Sequence, residues 1–203
     1  MSKDVIIIGG GGHGCVLIDA LMLANIPIKG ICDVNLPTDK PGPFGFQVVG
    51  NDDDVLEMAP DSVDLVNGIG STGSMDSRDE IYSRFQEAGF NFISVVHPSA
   101  IVSPHARLEG GCQVMAGAVI QCGVVVGANS IVNTGATLDH DCKIGRSVHI
   151  APGVTLSGNV VIEDCCHIGT GANIIQGTHV GKNSLIGAGV VVKSDIEAGS
   201  SVT

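Results

Sequence analysis

The chain has 203 residues, 44% of them hydrophobic and 15% charged, with a net charge of −11. That size and apolar content allow one large domain or two modest ones, each with a real core. The acidic balance argues against nucleic acid or an anionic membrane as partner, because both demand clustered Lys and Arg.

The chain opens on VIIIGGGGHG, residues 5–14. Only four apolar residues precede the first glycine, too short a run for a signal peptide or a membrane span, so a cytoplasmic protein is expected. None of the seven cysteines forms a CxxC pair, which fits reduced thiols there. The opening instead reads as a strand and a glycine turn. A helix comes next, with Val16, Leu17, Ala20, Leu21 and Leu23 on its apolar positions before the break at Pro27. A second strand, IKGICD, ends at Asp33, and a third, VDLVNGIG, ends at Gly70. Residues 76–88 read as a helix and FNFISVV as a last strand. Strand, turn, helix and strand in alternation predict a parallel α/β sheet.

Gly9, Gly11 and Gly14 satisfy G-x-G-x-x-G, with the acid Asp33 some way downstream. Glycines in that pattern let phosphate approach the backbone at a helix N-terminus. Taken alone the motif suggests a dinucleotide-dependent dehydrogenase, and more plainly it suggests a tight turn. The dehydrogenase reading fits poorly, because the α/β part is small and the second half of the chain offers no pocket for a hydride acceptor.

A second architecture begins after it. Phe44, Phe46, Tyr82, Phe85, Phe90 and Phe92 are all the aromatic residues, and each precedes residue 93. From Val102 to Val192 every sixth residue is aliphatic without a slip. Four residues after each comes a small or β-branched one, beginning Ala106, Cys112, Ala118, Val124, Ser130 and Ala136. A fixed six-residue period marks a parallel β-helix in which each hexad is a short strand plus a turn. Three hexads make one triangular coil, so residues eighteen apart stack at about 4.8 Å, and the repeat amounts to roughly five coils. The narrow interior explains the missing rings. Residues 1–97 and 98–203 are thus expected to be two domains.

The repeat is interrupted in chemistry, though not in register, by LDHDCKIG, residues 138–145. His140 comes two positions after the inward Leu138, so it lies in a turn and faces outward. Its stacking partners are Cys122 below and Gly158 and Gln176 above. A histidine beside an acid suits general-base work, since the carboxylate fixes the ring tautomer and stabilises the imidazolium. A solvated turn histidine with incidental acidic neighbours is the plainer reading.

The hexads resemble the left-handed β-helix of the hexapeptide-repeat acyltransferases; the handedness comes from that resemblance. A small α/β domain followed by such a helix is similar to the bacterial nucleotide-aminosugar N-acetyltransferases and their sialic-acid O-acetyltransferase relatives. The resemblance implies acetyl transfer from acetyl-CoA to the 4-amino group of a nucleotide-linked 4-amino-4,6-dideoxy sugar, with no metal. It implies that Gly11, Gly12, His13, Asp33 and Gly70 hold the nucleotide-sugar. NTGATLDHDCKIG matches the family's catalytic segment, making His140 the base, Asp141 its acid and Asn133 a substrate contact. Gly158 would leave open space beside His140 for a pantetheine arm. His149, Gly158, Thr170 and Ala188 become acetyl-CoA contacts in a groove between subunits of a homotrimer. A hydroxyl acceptor, as in sialic-acid O-acetylation, remains the alternative. A zinc hydratase enlisting His140, His149 and His167 and a non-catalytic scaffold are the remaining readings.

Overall fold

The computed structural model describes residues 3–71 and 73–203. Four parallel strands, β1 (Val5–Ile8), β2 (Ile28–Cys32), β3 (Val48–Gly50) and β4 (Asp64–Asn67), form a sheet in the order β3-β2-β1-β4. Helices α1 (Gly12–Leu23), α2 (Asp52–Leu56) and α3 (Asp76–Glu87) complete the domain. β1 is a run of β-branched residues buried on both faces, as a central parallel strand requires. Its side chains alternate. Val5 and Ile7 pack with Leu17, Ile18 and Leu21 of α1, while Ile6 and Ile8 pack with Tyr82 and Phe85 of α3.

β3 and α2 were not legible in the sequence. β3 is three residues long, and α2 begins on a capping box in place of an apolar stripe. The Asn51 side chain accepts from the Asp53 and Asp54 N–H groups, and the Asp54 carboxylate accepts from the Asn51 N–H. FNFISVV is not a continuous last strand. Phe92 makes a single bridge to Leu65, and Val95–Val96 (β5) instead pairs with Gln113–Val114 in the first coil of the second domain. The aromatic residues of that stretch are drawn under α3, where Phe90 meets Phe85 edge-on at 5.6 Å and Phe92 lies 4.7 Å from Tyr82.

From β5 onward the chain winds as a three-sided prism of two-residue parallel strands. Its faces hold 7, 6 and 5 strands. Strand partners are eighteen residues apart throughout the repeat, as in Arg107, Val125, Lys143, Val161 and His179. The aliphatic hexad positions and the small corner residues form one continuous core. Each fully buried Leu, Ile or Val there contributes roughly 1.5–3 kcal/mol. No helix among the described residues is long and apolar enough to cross a membrane.

Polar groups fasten the two domains. Arg78 of α3 is fully buried; its Nε donates to the Asn129 carbonyl at 2.9 Å, and its Nη1 donates to the carbonyls of Asn67 and Ile69 at 2.9 and 2.6 Å. Burial lowers its pKa to about 9, which leaves it charged at neutral pH. Nearby, Arg146 pairs with Asp79 at 3.1 Å and donates to the Ser83 hydroxyl at 2.6 Å. The Ser147 hydroxyl also donates to Asp79.

Candidate active site

The glycine turn divides into structural and open positions. A Cβ on Gly14 would collide with the Gly9 carbonyl oxygen, so Gly14 is needed for close helix–strand packing. Gly9 has φ +98°, a backbone that side chains disfavour. Gly11 and Gly12, in contrast, would meet nothing within 4 Å. They leave the start of α1 uncovered, with no side chain capping it. Orphan N–H groups at a helix start suit an anionic oxygen. Asp33 shapes this loop by accepting from the Gly10 N–H and the Asn35 N–H, both at 2.8 Å.

Above the loop lies a cleft of about 670 Å³ between the two domains. Gly11, Gly12, His13, Asp33 and Gly70 all line it, joined from the prism by Asn133, Thr134, His149 and Pro152. The five positions assigned to a nucleotide-sugar by resemblance therefore converge, and Asn133 converges with them. Gly70 passes so near His13 that an added Cβ would stand 3.2 Å from the His13 Cβ.

The imidazoles of this cleft are anchored from behind. His13 Nε2 donates to Gln113 Oε1 at 2.7 Å, and the Gln113 amide donates to the Asn67 carbonyl at 2.7 Å. Burial, with Arg78 adding to it, lowers the His13 pKa to about 4. His149 stacks under His167 on one prism face, rings edge-on at 5.0 Å. Burial, followed by His167, His13 and Arg78, lowers the His149 pKa to about 3; burial also lowers that of His167. Ser71 Oγ lies 2.9 Å from His149 Nδ1 and 2.8 Å from His167 Nδ1. Asn133 donates from Nδ2 to His149 Nε2 at 3.0 Å.

His140 is of another kind. Its Nδ1 lies 2.9 Å from Asp141 Oδ2, and its side chain is 48% exposed. The Asp141 hydrogen bond raises its pKa, outweighing desolvation, with the charges of Asp139 and Asp141 adding to the rise. Asp141 holds its carboxylate there from a left-handed backbone, φ +61°. The space over Gly158 is filled by the imidazole. A Cβ on Gly158 would stand 2.5 Å from His140 Nε2, so the glycine makes room for the ring and leaves no vacant notch for a ligand arm.

The assigned residues fall on two edges of the prism. Thr134, Pro152, Thr170 and Ala188 stack on one, tied by hydrogen bonds from Gly153, Gly171 and Gly189 N–H groups to the first three carbonyls. Thr170 and Ala188 thus extend the edge that borders the cleft, though neither lines it. Cys122, His140 and Gly158 stack on the next edge, linked in the same way. A full prism face separates His140 from the cleft, and His140 does not converge with His149 and His167 within the chain. Among the described residues, no cluster of three or more His, Cys, Asp or Glu side chains could hold a metal ion.

Sequence reading missed Ser71, Gln113 and Arg78. Gln113 carries no sequence signal, being an ordinary polar residue at an outward strand position whose burial to 1% exposure comes from the domain contact. Ser71 and Arg78 carry none either, because their partners come from distant turns.

A Rossmann-like domain docked on a hexapeptide prism, with an acid-paired histidine on an outer turn, defines a hexapeptide-repeat acetyltransferase. Residues 4–85 match the PglD N-terminal domain family, and residues 159–194 match the hexapeptide repeat of succinyl-transferase. The acetyltransferase domain of PglB from Neisseria gonorrhoeae is 35% identical, with a TM-score of 0.91 over 98% of this chain and 96% of that one. Its complex with acetyl coenzyme A matches at 36% identity and TM-score 0.89, over 99% and 96%. A point mutant of perosamine N-acetyltransferase from Caulobacter crescentus, in complex with CoA and GDP-perosamine, is 34% identical with TM-score 0.88, over 97% and 91%. The chain belongs to the NeuD/PglD-like family of sugar N-acetyltransferases, and its prism is a left-handed β-helix.

Proposed function

We propose that this protein moves acetyl from acetyl-CoA to the 4-amino group of a nucleotide-linked 4-amino-4,6-dideoxy sugar, with His140 as general base. The observation that carries the reading is the 2.9 Å contact between His140 Nδ1 and Asp141. It assigns the imidazole proton to Nδ1 and leaves the Nε2 lone pair free to accept another. The amine attacks the thioester carbonyl carbon while Nε2 takes its proton. Collapse of the adduct breaks the C–S bond, and the imidazolium returns the proton to the leaving thiolate. The products are the acetamido sugar and free coenzyme A, with no acyl-enzyme. Cys142 is buried in a corner of the core with a raised thiol pKa, which suits it to packing.

The cleft suits the nucleotide-sugar. Its bare helix start favours phosphate oxygens, and His13, kept neutral, retains Nδ1 as an acceptor for an amine N–H. Relatives support both ligands: one is described with CoA and GDP-perosamine, another with acetyl coenzyme A. Acetyl-CoA fits a cytoplasmic enzyme, with the acyl donor lying along the Thr134–Pro152–Thr170–Ala188 edge and His149 beside its path, while Gly158 makes room for the His140 ring.

A neighbouring copy completes the site in this reading. Thr134 and His140 are six residues apart across one face, up to about 20 Å of extended chain. A second subunit packed on that edge brings its own His140 to the cleft, and three prisms side by side close the arrangement as a homotrimer.

The test incubates the protein with acetyl-CoA and a panel of GDP-, UDP- and TDP-linked 4-amino-4,6-dideoxy sugars, with free sialic acid beside them, and follows coenzyme A release. Turnover with an amino sugar supports the reading. Turnover with the hydroxyl acceptor alone replaces it by O-acetylation, and turnover with neither overturns it.

A further inference from the structure

The Ser71 hydroxyl joins the loop after β4 to the stacked pair His149 and His167, and it reaches both rings at once. A hydroxyl has one hydrogen to donate, so the two contacts must differ in direction. The directions are set from the far end. The Asn133 carbonyl oxygen accepts from the Thr134 N–H at 2.8 Å, which orients its amide so that Nδ2 donates to His149 Nε2. His149 is neutral, with its pKa lowered to about 3, so its proton is on Nδ1 and is donated to Ser71 Oγ. The Ser71 hydrogen is then committed to His167 Nδ1, and His167 in its neutral form carries its proton on Nε2. One hydroxyl carries the choice made at His149 to His167, and the two imidazoles hold opposite tautomers.

We infer that Ser71 is a positioning residue: it accepts from His149, whose Nδ1–H tautomer Asn133 selects, and by donating to His167 passes that choice on, fixing His167 as the Nε2–H tautomer. Asn133 and His149 both line that cleft, and Ser71 itself sits on its wall. With His149 Nε2 occupied by one Asn133 hydrogen, the second amide hydrogen of Asn133 is free to meet an acceptor in the cleft. Neither His149 nitrogen is free to donate, so a donor from this stack to an acyl carrier is His167 Nε2–H. The residue that ties the cleft to the prism is thus a serine on the α/β side, acting through rings on the other domain. The role assigned to the second amide hydrogen rests on the proposed acetyl-transfer reading; the tautomer assignment does not.

The experiment uses the full chain with ¹⁵N-labelled histidine and reads side-chain nitrogen shifts without ligand. His149→Gln and His167→Gln serve only to assign the signals. The wild type is expected to show His149 protonated at Nδ1 and His167 at Nε2, and Ser71→Ala is expected to mix the tautomers of His167 while Asn133 keeps His149 as it was. Ser71→Thr, which keeps the hydroxyl, restores the His167 tautomer. In the acetyl-transfer assay, loss of this one hydrogen-bonding centre raises KM for the amino sugar roughly fivefold, with kcat less affected, and Ser71→Thr recovers most of it. An unchanged His167 tautomer in Ser71→Ala, or a wild-type His149 protonated at Nε2, overturns the inference. If the wild type turns over no amino sugar, the acetyl-transfer reading fails while the shifts still decide the role of Ser71.

Discussion

The histidines at the junction between domains and the histidine on the outer edge have opposite electrostatics. His13 and His149 sit among buried groups, and desolvation takes their pKa to about 4 and about 3. His140 stands half in solvent beside a carboxylate, and its pKa is raised. The same side chain thus serves two ends. Buried, it is a neutral fixture that orients hydrogen bonds; on an exposed turn beside an acid it holds its proton more tightly, as the proposed general base requires. Position on the prism decides which.

The sharpest way to break this contrast is His140→Ala. With general-base assistance removed, kcat in the coenzyme A release assay falls roughly 10²- to 10⁴-fold, while the thermal midpoint stays near that of the wild type. Unchanged turnover would remove His140 from the chemistry. Gly158→Val ranks next. Its side chain needs the volume that the imidazole occupies, and displacing the ring by about 1 Å lowers kcat on the order of 10²-fold. Asp141→Asn tolerates the left-handed backbone but removes the main cause of the raised His140 pKa. The base must be neutral to act, so activity is lost as pH falls through its pKa. The variant's acidic limb therefore moves to lower pH, and its plateau drops about tenfold because the base is weaker.

The junction histidines leave turnover aside and act on stability. Their folded pKa values lie below 6.5, so only the unfolded chain takes up these protons as pH falls. Their contribution is fully present above pH 6.5. It declines by up to about 1.4 kcal/mol per histidine per pH unit, down to about pH 4 for His13 and about 3 for His149. Thermal midpoints measured between pH 7 and pH 4 should fall accordingly, with a shallower slope in His149→Gln.

The prism was legible because its rule is local. An aliphatic residue at Leu138, a small one at Cys142 and the next aliphatic at Ile144 specify strand, corner and strand without reference to distant chain. The same rule set His140 facing outward on a turn. It said nothing of the space over Gly158, because the coil rule gives a residue's partner and leaves its ring conformation open. The glycine turn was legible too, while β3 and α2 were not, being too short to establish a period. The junction was the hardest part. Arg78 reads as an ordinary helix-surface cation until Asn129 and the β4 loop enclose it, and Ser71 reads as loop until two rings from the prism close on it. Burial that arises between domains leaves no periodic trace in either.

The eighteen-residue register imposes an arithmetic on how such a chain can change length. Adding or deleting a whole coil lengthens or shortens the stack by one storey and leaves every edge aligned. A change of six residues ahead of residue 140 would turn everything beyond it by one corner, carrying the imidazole round to a different face with no strand unfolded. The place of His140 is therefore set by counting as much as by packing, and a length change that keeps it must come in whole turns of the screw or in loops that leave the count intact.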